Sequence, residues 1–283
     1  MADPVQKENF QSFQFVSVVI PVFNERETIE TILERVQKVE ILKELIIVDD
    51  GSTDGTREWL YERFGQASDE EERRKESCES LADPPQVRVL THQNNQGKGT
   101  ALKTGFQHAK GMIVIVQDGD LEYSPKNYSR LLEPLLTDRA DVVYGSRFLG
   151  ASKGNRSLDS YVGNKLFTTL TNVATGLSLT DVWTGYKVFK KKVLEGISLE
   201  ASRFEMELEL TMKVAQKKWR VMEVPISYIP RSKAEGKKSA GETGSNPSKP
   251  FTGIAKPHNP SGFSSSCRQC TPVWDGISII TTS

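Results

Sequence analysis

Between residues 15 and 146 short β-branched runs alternate with stretches of helical period, and no other feature of the chain restricts its fold so strongly. Phe15-Val16-Ser17-Val18-Val19-Ile20 reads as a buried strand closed by Pro21. Residues 45–48, 87–90, 112–116 and 141–144 read as four more. In 25–38, Ile29, Ile32, Leu33 and Val36 recur at helical spacing, and 56–64, 97–109 and 125–136 read as further helices. Strands that are apolar throughout must be covered on both sides, whereas a strand with one wet face would alternate. The pattern therefore predicts an α/β fold, a Rossmann-like, mostly parallel sheet with helices on both faces.

In such a sheet ligands bind beyond the carboxyl ends of the strands, so the residues just past each strand carry the chemistry. Pro21-Val22-Phe23-Asn24-Glu25 comes after the first and Asp49-Asp50-Gly51-Ser52 after the second. Asp118-Gly119-Asp120-Leu121-Glu122 comes after the fourth and Gly145-Ser146-Arg147 after the fifth. Several carboxylates on one rim repel each other. A hard divalent cation relieves that, and Mg²⁺ typically takes one or two carboxylates and completes its shell with water and substrate phosphate. Asp118 and Asp120, two apart around a glycine, can be aimed at one such ion. The first strand lacks the Gly-x-Gly-x-x-Gly of a dinucleotide fold. Around Gly97-Lys98 a P-loop also fails, because His92 and Gly99 stand where it needs Gly and Ser or Thr. Gly97-Lys98-Gly99 still opens a helix whose free N–H groups could face an anion.

Composition narrows the partners. The 283 residues carry 37 basic and 37 acidic side chains, a balance that excludes nucleic-acid binding through bulk charge. Three cysteines make no disulfide scaffold and suit a reducing compartment, and Cys267-Arg268-Gln269-Cys270 falls short of a structural zinc site's four ligands. No apolar run reaches the ~18 residues of a membrane span, and residues 1–14 have the polar character of a flexible N-terminus without a signal peptide.

The blocks Val18-Val19-Ile20-Pro21-Val22-Phe23-Asn24-Glu25, Ile47-Val48-Asp49-Asp50-Gly51-Ser52-Thr53-Asp54-Gly55-Thr56, Asn95-Gln96-Gly97-Lys98-Gly99, Gln117-Asp118-Gly119-Asp120-Leu121-Glu122, Tyr144-Gly145-Ser146-Arg147-Phe148 and Glu223-Val224-Pro225-Ile226-Ser227-Tyr228 resemble those of the family 2 inverting glycosyltransferases with the GT-A fold. Within that family the resemblance is to the polyprenyl-phosphate hexose transferases, dolichyl-phosphate mannosyltransferase and its bacterial relatives. It spans about 16–238, implying one GT-A domain over 15–238.

The resemblance implies metal-dependent hexose transfer, mannose favoured, from a nucleotide sugar to a polyprenyl or dolichyl phosphate, with Mg²⁺ or Mn²⁺ as cofactor. Alternatives are a UDP-glucose-dependent glucosyltransferase and a non-catalytic nucleotide-sugar-binding relative. By the same resemblance, Pro21, Phe23, Glu25, Asp49, Asp50 and Asp118 would line the nucleotide pocket. Asp118, Asp120 and Glu122 would face the metal, and Asp120 and Arg147 would carry catalysis. Arg147, Arg231 and Lys233 would bind phosphate or acceptor. The enzyme would sit in the cytoplasm, peripheral on the cytoplasmic membrane face, with a membrane partner subunit left open. Lys165 keeps the charge but not the fork of the family's arginine in Gly163-Asn164-Lys165.

Other segments carry expectations of their own. Residues 66–86, with Asp69, Glu70, Glu71, Glu72, Arg73, Arg74, Lys75, Glu76 and Glu79, read as a solvated charged insertion. Residues 239–283, dominated by Gly, Ser, Pro, Thr and Asn, read as a disordered tail whose abrupt onset suits a shifted frame or truncation near Ser239. The stripe Leu158, Tyr161, Val162, Leu166, Phe167, Leu170 and Val173 reads first as core packing, with a lipid-facing helix as its rival. Glu207 and Glu209 read as one packed and one solvated carboxylate, and His92 and His108 as surface or packing residues.

Overall fold

The computed structural model describes residues 15–65, 86–149, 158–203 and 205–230. The N-terminal 1–14, nearly all of the charged insertion and the tail lie outside them. Seven strands form one sheet: β1 (Val16–Val22), β2 (Lys43–Asp49), β3 (Val87–Thr91), β4 (Ile113–Val116), β5 (Val142–Ser146), β6 (Lys187–Lys190) and β7 (Val221–Pro225). Their order is β3-β2-β1-β4-β6-β5-β7. The helices are α1 (Ile29–Gln37), α2 (Thr56–Phe64), α3 (Lys98–His108), α4 (Tyr128–Leu136), α5 (Leu158–Thr175), α6 (Lys191–Glu195) and α7 (Glu205–Gln216).

The expected parallel pairs form between β1 and β2, β1 and β4, and β2 and β3. The apolar pattern does not predict the antiparallel strand β6, which runs between β4 and β5 and joins the two halves of the sheet. One layer over the sheet packs α1 and α4 through Ile29, Ile32, Leu33, Leu131 and Leu135. The opposite layer packs α3 and α7 through Ala101, Leu102, Met206, Leu210 and Val214.

Pro21 does not close β1 as expected but lies inside it, opposite Val48. Val19 directs its carbonyl to Gln117 on the β4 side, so Pro21, two residues on, also faces that side. Pairing with β4 stops at Val19, so the missing N–H of Pro21 leaves no ladder bond unmade.

Candidate active site

The carboxyl ends of β1, β2, β4 and β5 meet on one rim. Gln117, fully buried after β4, anchors the acidic turn: its Oε1 accepts from Tyr128 (2.9 Å) and Tyr186 (2.8 Å), and its Nε2 donates to the carbonyl of Asp118 (3.1 Å). Asp118 Oδ1 lies 2.8 Å from Lys98 Nζ. Its Oδ2 lies so close to Gly185 that a Cβ there would stand 2.2 Å away. Asp120 Oδ1 accepts the Glu122 N–H (3.0 Å), and Glu122 Oε2 accepts from the Tyr228 hydroxyl (2.9 Å). A bridge between Tyr123 and Tyr228 ties this turn to the segment after β7.

Arg147 comes just after β5 and grips Asp181 with a fork, Nε to Oδ2 at 2.7 Å and Nη2 to Oδ1 at 2.8 Å. The Arg147 N–H (3.1 Å) and Asn164 Nδ2 (3.1 Å) also donate to that carboxylate. Glu223 backs the group by accepting the N–H of Thr180 (2.7 Å) and Asp181 (3.0 Å). The Arg147 guanidinium carbon stands 5.3 Å from the Tyr228 ring, so Arg147 and Glu122 share a neighbour. Burial opposes the charges on Arg147 and Asp181, but their mutual contact outweighs it, holding Arg147 protonated and Asp181 below the usual carboxylate range. Burial pushes Glu223 upward.

On the β1–β2 side two loops clasp each other. Asn24, at φ 53°, donates its N–H to Ser52 Oγ (2.9 Å) and accepts from Thr53 N (2.8 Å). Glu25 N donates to Thr56 Oγ1 (3.0 Å). The Thr28 hydroxyl lies 2.8 Å from Glu25 Oε2 and 3.1 Å from the Gly119 carbonyl, linking this side to the acidic turn. Phe23 is half-buried beside them. Asp49 is buried on Arg57 Nε (2.7 Å). Asp50, only 2% exposed, accepts from His92 Nδ1 (2.6 Å), Gln96 N (3.0 Å) and Gly97 N (2.7 Å). His92, expected to be a packing residue, is therefore part of the hold on Asp50, with Thr104 Oγ1 3.0 Å from its other nitrogen.

A chain of alternating charge runs under the rim: Asp118, Lys98, Glu207, Lys187. Lys98 Nζ is 3.4 Å from Glu207 Oε1, and Glu207 Oε2 bonds to Lys187. Lys187 is buried, donates to the Thr184 carbonyl (2.6 Å) and stands 5.0 Å over the Tyr144 ring. Burial opposes the Lys98 ammonium, yet Asp118 and Glu207 outweigh it and raise its pKa. For Lys187 burial dominates and lowers it. Glu209 is not solvated as expected; it pairs with Lys213 at 2.7 Å and accepts the N–H of Glu200 and Ala201.

The rim thus brings together Asp118, Asp120, Glu122 and Arg147, with Pro21, Phe23, Glu25, Asp49 and Asp50 along its β1–β2 side; Arg231 and Lys233 lie outside the described residues. Sequence reading missed Asp181, Tyr228 and the side chains of Lys98 and Glu207 as site partners. Lys98 carried a signal in the Gly97-Lys98-Gly99 helix start, Tyr228 in the block 223–228, and Glu207 as one of two carboxylates of which one was expected to pack; Asp181 carried none. No group of three or more acidic, His or Cys side chains forms a closed metal cage among the described residues. Two carboxylates on one turn fit an ion that brings most of its ligands as water and substrate phosphate.

From Val162 to Val173 the apolar stripe of α5 is not core, contrary to the first expectation; the side chains of Leu158 and Tyr161 lie outside the description. Val162, Leu166, Phe167, Leu170 and Val173 are 49–81% exposed, while Thr168 and Thr171 are buried. No helix of the described residues is long and apolar enough to cross a membrane.

Residues 17–198 match the model of the family described as glycosyl transferase family 2. The undecaprenyl-phosphate mannosyltransferase of Micrococcus luteus is 30% identical over 81% of this chain and 89% of its own. The polyprenol monophosphomannose synthase of Mycolicibacterium smegmatis is 32% identical over 78% of this chain and 80% of its own. Among solved structures, glucosyl-3-phosphoglycerate synthase from Mycobacterium tuberculosis, in complex with Mn²⁺, UDP and glucosyl-3-phosphoglycerate, superposes with a TM-score of 0.59. It is 20% identical and covers 83% of this chain and 80% of that one. The fold is the GT-A fold expected from the sequence.

Proposed function

The chain belongs to glycosyl transferase family 2, and from that premise we propose that it moves a hexose, mannose favoured, from a nucleotide sugar to a polyprenyl phosphate with inversion at the anomeric carbon. The observation that carries the reading is one rim holding two carboxylates on the turn after β4 and an arginine after β5. These are the opposite charges that a departing diphosphate with its cation and an attacking phosphate require. The activities for which the two relatives are named supply the substrate class.

An acceptor phosphate, with a second pKa near ~6, is already largely a dianion at neutral pH and needs little help from a general base. One of its oxygens attacks the anomeric carbon as the bond from that carbon to the nucleoside diphosphate oxygen breaks, and the electron pair leaves with the diphosphate. Asp118 and Asp120 would hold Mg²⁺ or Mn²⁺, which as a Lewis acid offsets charge on the leaving diphosphate. Arg147 keeps a fixed positive charge at the β5 side of the rim, and Asp181 sets its plane; Arg231 and Lys233 are assigned to the acceptor phosphate by resemblance. Glu122 is assigned to the metal side, where Tyr228 orients it. Pro21, Phe23 and Glu25 are assigned to the nucleotide wall. Asp49 and Asp50 are assigned to the same pocket by resemblance; their carboxylates brace the end of β2 against Arg57, His92 and the N–H groups of Gln96 and Gly97.

A lipid acceptor must be met at a membrane surface, and the exposed apolar side of α5 suits that contact. We place the protein peripherally on the cytoplasmic face.

The test is a thermal-shift and turnover panel with GDP-mannose and UDP-glucose, with and without Mn²⁺. Metal-dependent stabilisation by one donor, abolished together with turnover in Asp120→Ala, is expected; turnover retained by that variant would reject the assignment. Donor binding without turnover by the wild type would favour the non-catalytic reading.

A further inference from the structure

We propose that Lys98 is an exchangeable counter-ion of the metal position: its ammonium and a divalent cation are rivals for Oδ1 of Asp118, and Glu207 is the carboxylate that retains Lys98 when the cation takes that oxygen. The inference rests on the reading of Asp118 as a metal-facing residue.

The geometry already divides Lys98 between two carboxylates, at 2.8 Å from Asp118 Oδ1 and 3.4 Å from Glu207 Oε1. A Cβ on Gly185 would stand 2.2 Å from Oδ2 of Asp118, so that oxygen has the Gly185 backbone beside it, and Oδ1 is the oxygen that Lys98 holds. Glu207 cannot follow Lys98, because its other oxygen is fixed by Lys187, itself held by the Thr184 carbonyl. The backbones of the two helices are also locked together. Gly97 and Gly99 approach Ser202 so closely that a Cβ on either would stand 2.6–2.7 Å from its backbone, and Thr100 N donates to the Ser202 carbonyl at 3.0 Å. Ser202 lies just before α7, which carries Glu207. The tip of Lys98 thus has a second carboxylate within reach while the backbones on either side of it stay in contact.

A lysine in this place has a consequence for loading. A cation at Asp118 meets a like charge next to it, which weakens binding of the ion alone. A nucleoside diphosphate brings negative charge that offsets both. Ion and donor should therefore enter together, and Glu207 tunes how strongly they depend on each other. Glu207 is a positioning residue, acting through Lys98 rather than on substrate.

The experiment is a Mn²⁺ titration of the full chain without nucleotide, read by the electron paramagnetic resonance signal of free Mn²⁺. Lys98→Met should tighten Mn²⁺ binding by roughly threefold to tenfold. Lys103→Met, on the same helix but bonded to the Glu200 carbonyl, should leave it unchanged. Glu207→Gln should weaken binding, and the weakening should vanish in the Lys98→Met background. A bystander field effect would persist there in full. If Glu207→Gln does not fold, the comparison of Lys98→Met with Lys103→Met decides alone. Wild-type uptake of Mn²⁺ that Lys98→Met leaves unchanged or weakens would overturn this inference while sparing the metal reading. No uptake by either protein, with or without GDP or UDP, would overturn both.

Discussion

Replacing Asp181 by Asn should expose how far the site depends on one buried ion pair. The Asp181 side chain is fully buried and receives four donors: Arg147 Nε, Nη2 and N, and Asn164 Nδ2. An amide keeps one acceptor oxygen and turns an NH₂ group towards two of those donors. It also leaves the largely buried Arg147 without its counter-charge. Breaking a buried pair from one side costs about 3–5 kcal/mol. That is a large part of the roughly 5–15 kcal/mol that holds a domain together. The loss should appear as a lower urea midpoint with an unchanged slope. It should also depend on pH in a definite sense. Asp181 is held below the usual carboxylate range in the folded chain, so its contribution is complete above the unfolded value near ~3.9 and is lost as pH falls through the folded value. The gap between wild type and Asp181→Asn should therefore be full at neutral pH and narrow in acid. A gap under about 1 kcal/mol at neutral pH, or one that does not narrow in acid, would mean that the Arg147–Asp181 pair does not stabilise the fold.

The same geometry predicts three further outcomes. Gly185→Ala places a methyl 2.2 Å from Asp118 Oδ2 and 3.0 Å from Tyr123 Cε2, so it should displace the carboxylate. Stability should drop by about 1–3 kcal/mol, and Mn²⁺-dependent donor binding, read by calorimetry, should fall further than in a destabilised variant remote from the rim. Gln117→Leu strips the acceptor from two buried tyrosine hydroxyls, Tyr128 and Tyr186. It should cost about 1–3 kcal/mol per hydroxyl in urea unfolding, and a loss below about 1 kcal/mol would contradict the anchoring role. Leu166→Glu with Leu170→Glu should leave the melting temperature nearly unchanged, because both side chains are more than half exposed, yet reduce flotation with liposomes. Undiminished flotation would mean that α5 does not contact lipid.

Much of the sheet was legible because burial on both faces forces unbroken apolar strands, which Val18-Val19-Ile20 and Ile46-Ile47-Val48 show without help from their partners. Strand β6 was not, since Lys187-Val188-Phe189-Lys190 is short and begins with a lysine whose burial depends on Glu207, the Thr184 carbonyl and the Tyr144 ring, none of which the strand itself shows. Helix α5 misled for a related reason: an apolar stripe states what a helix can bury but not against what. The acidic turn and Arg147 announced themselves through their place after strands. Their partners did not, because Asp181 and Glu207 gain their roles only when α5, α7 and the 176–186 segment pack against the rim.

Transfer of a hexose to a lipid phosphate can be read by mass spectrometry of the lipid product. The purified full chain is supplied with GDP-mannose or UDP-glucose, a polyprenyl phosphate in detergent, and Mn²⁺. A polyprenyl monophosphate carrying one hexose, formed from one of the two donors and absent when the ion is chelated, is the expected result. A folded protein that binds a donor yet yields no glycosylated lipid from either would exclude hexose transfer to a lipid phosphate.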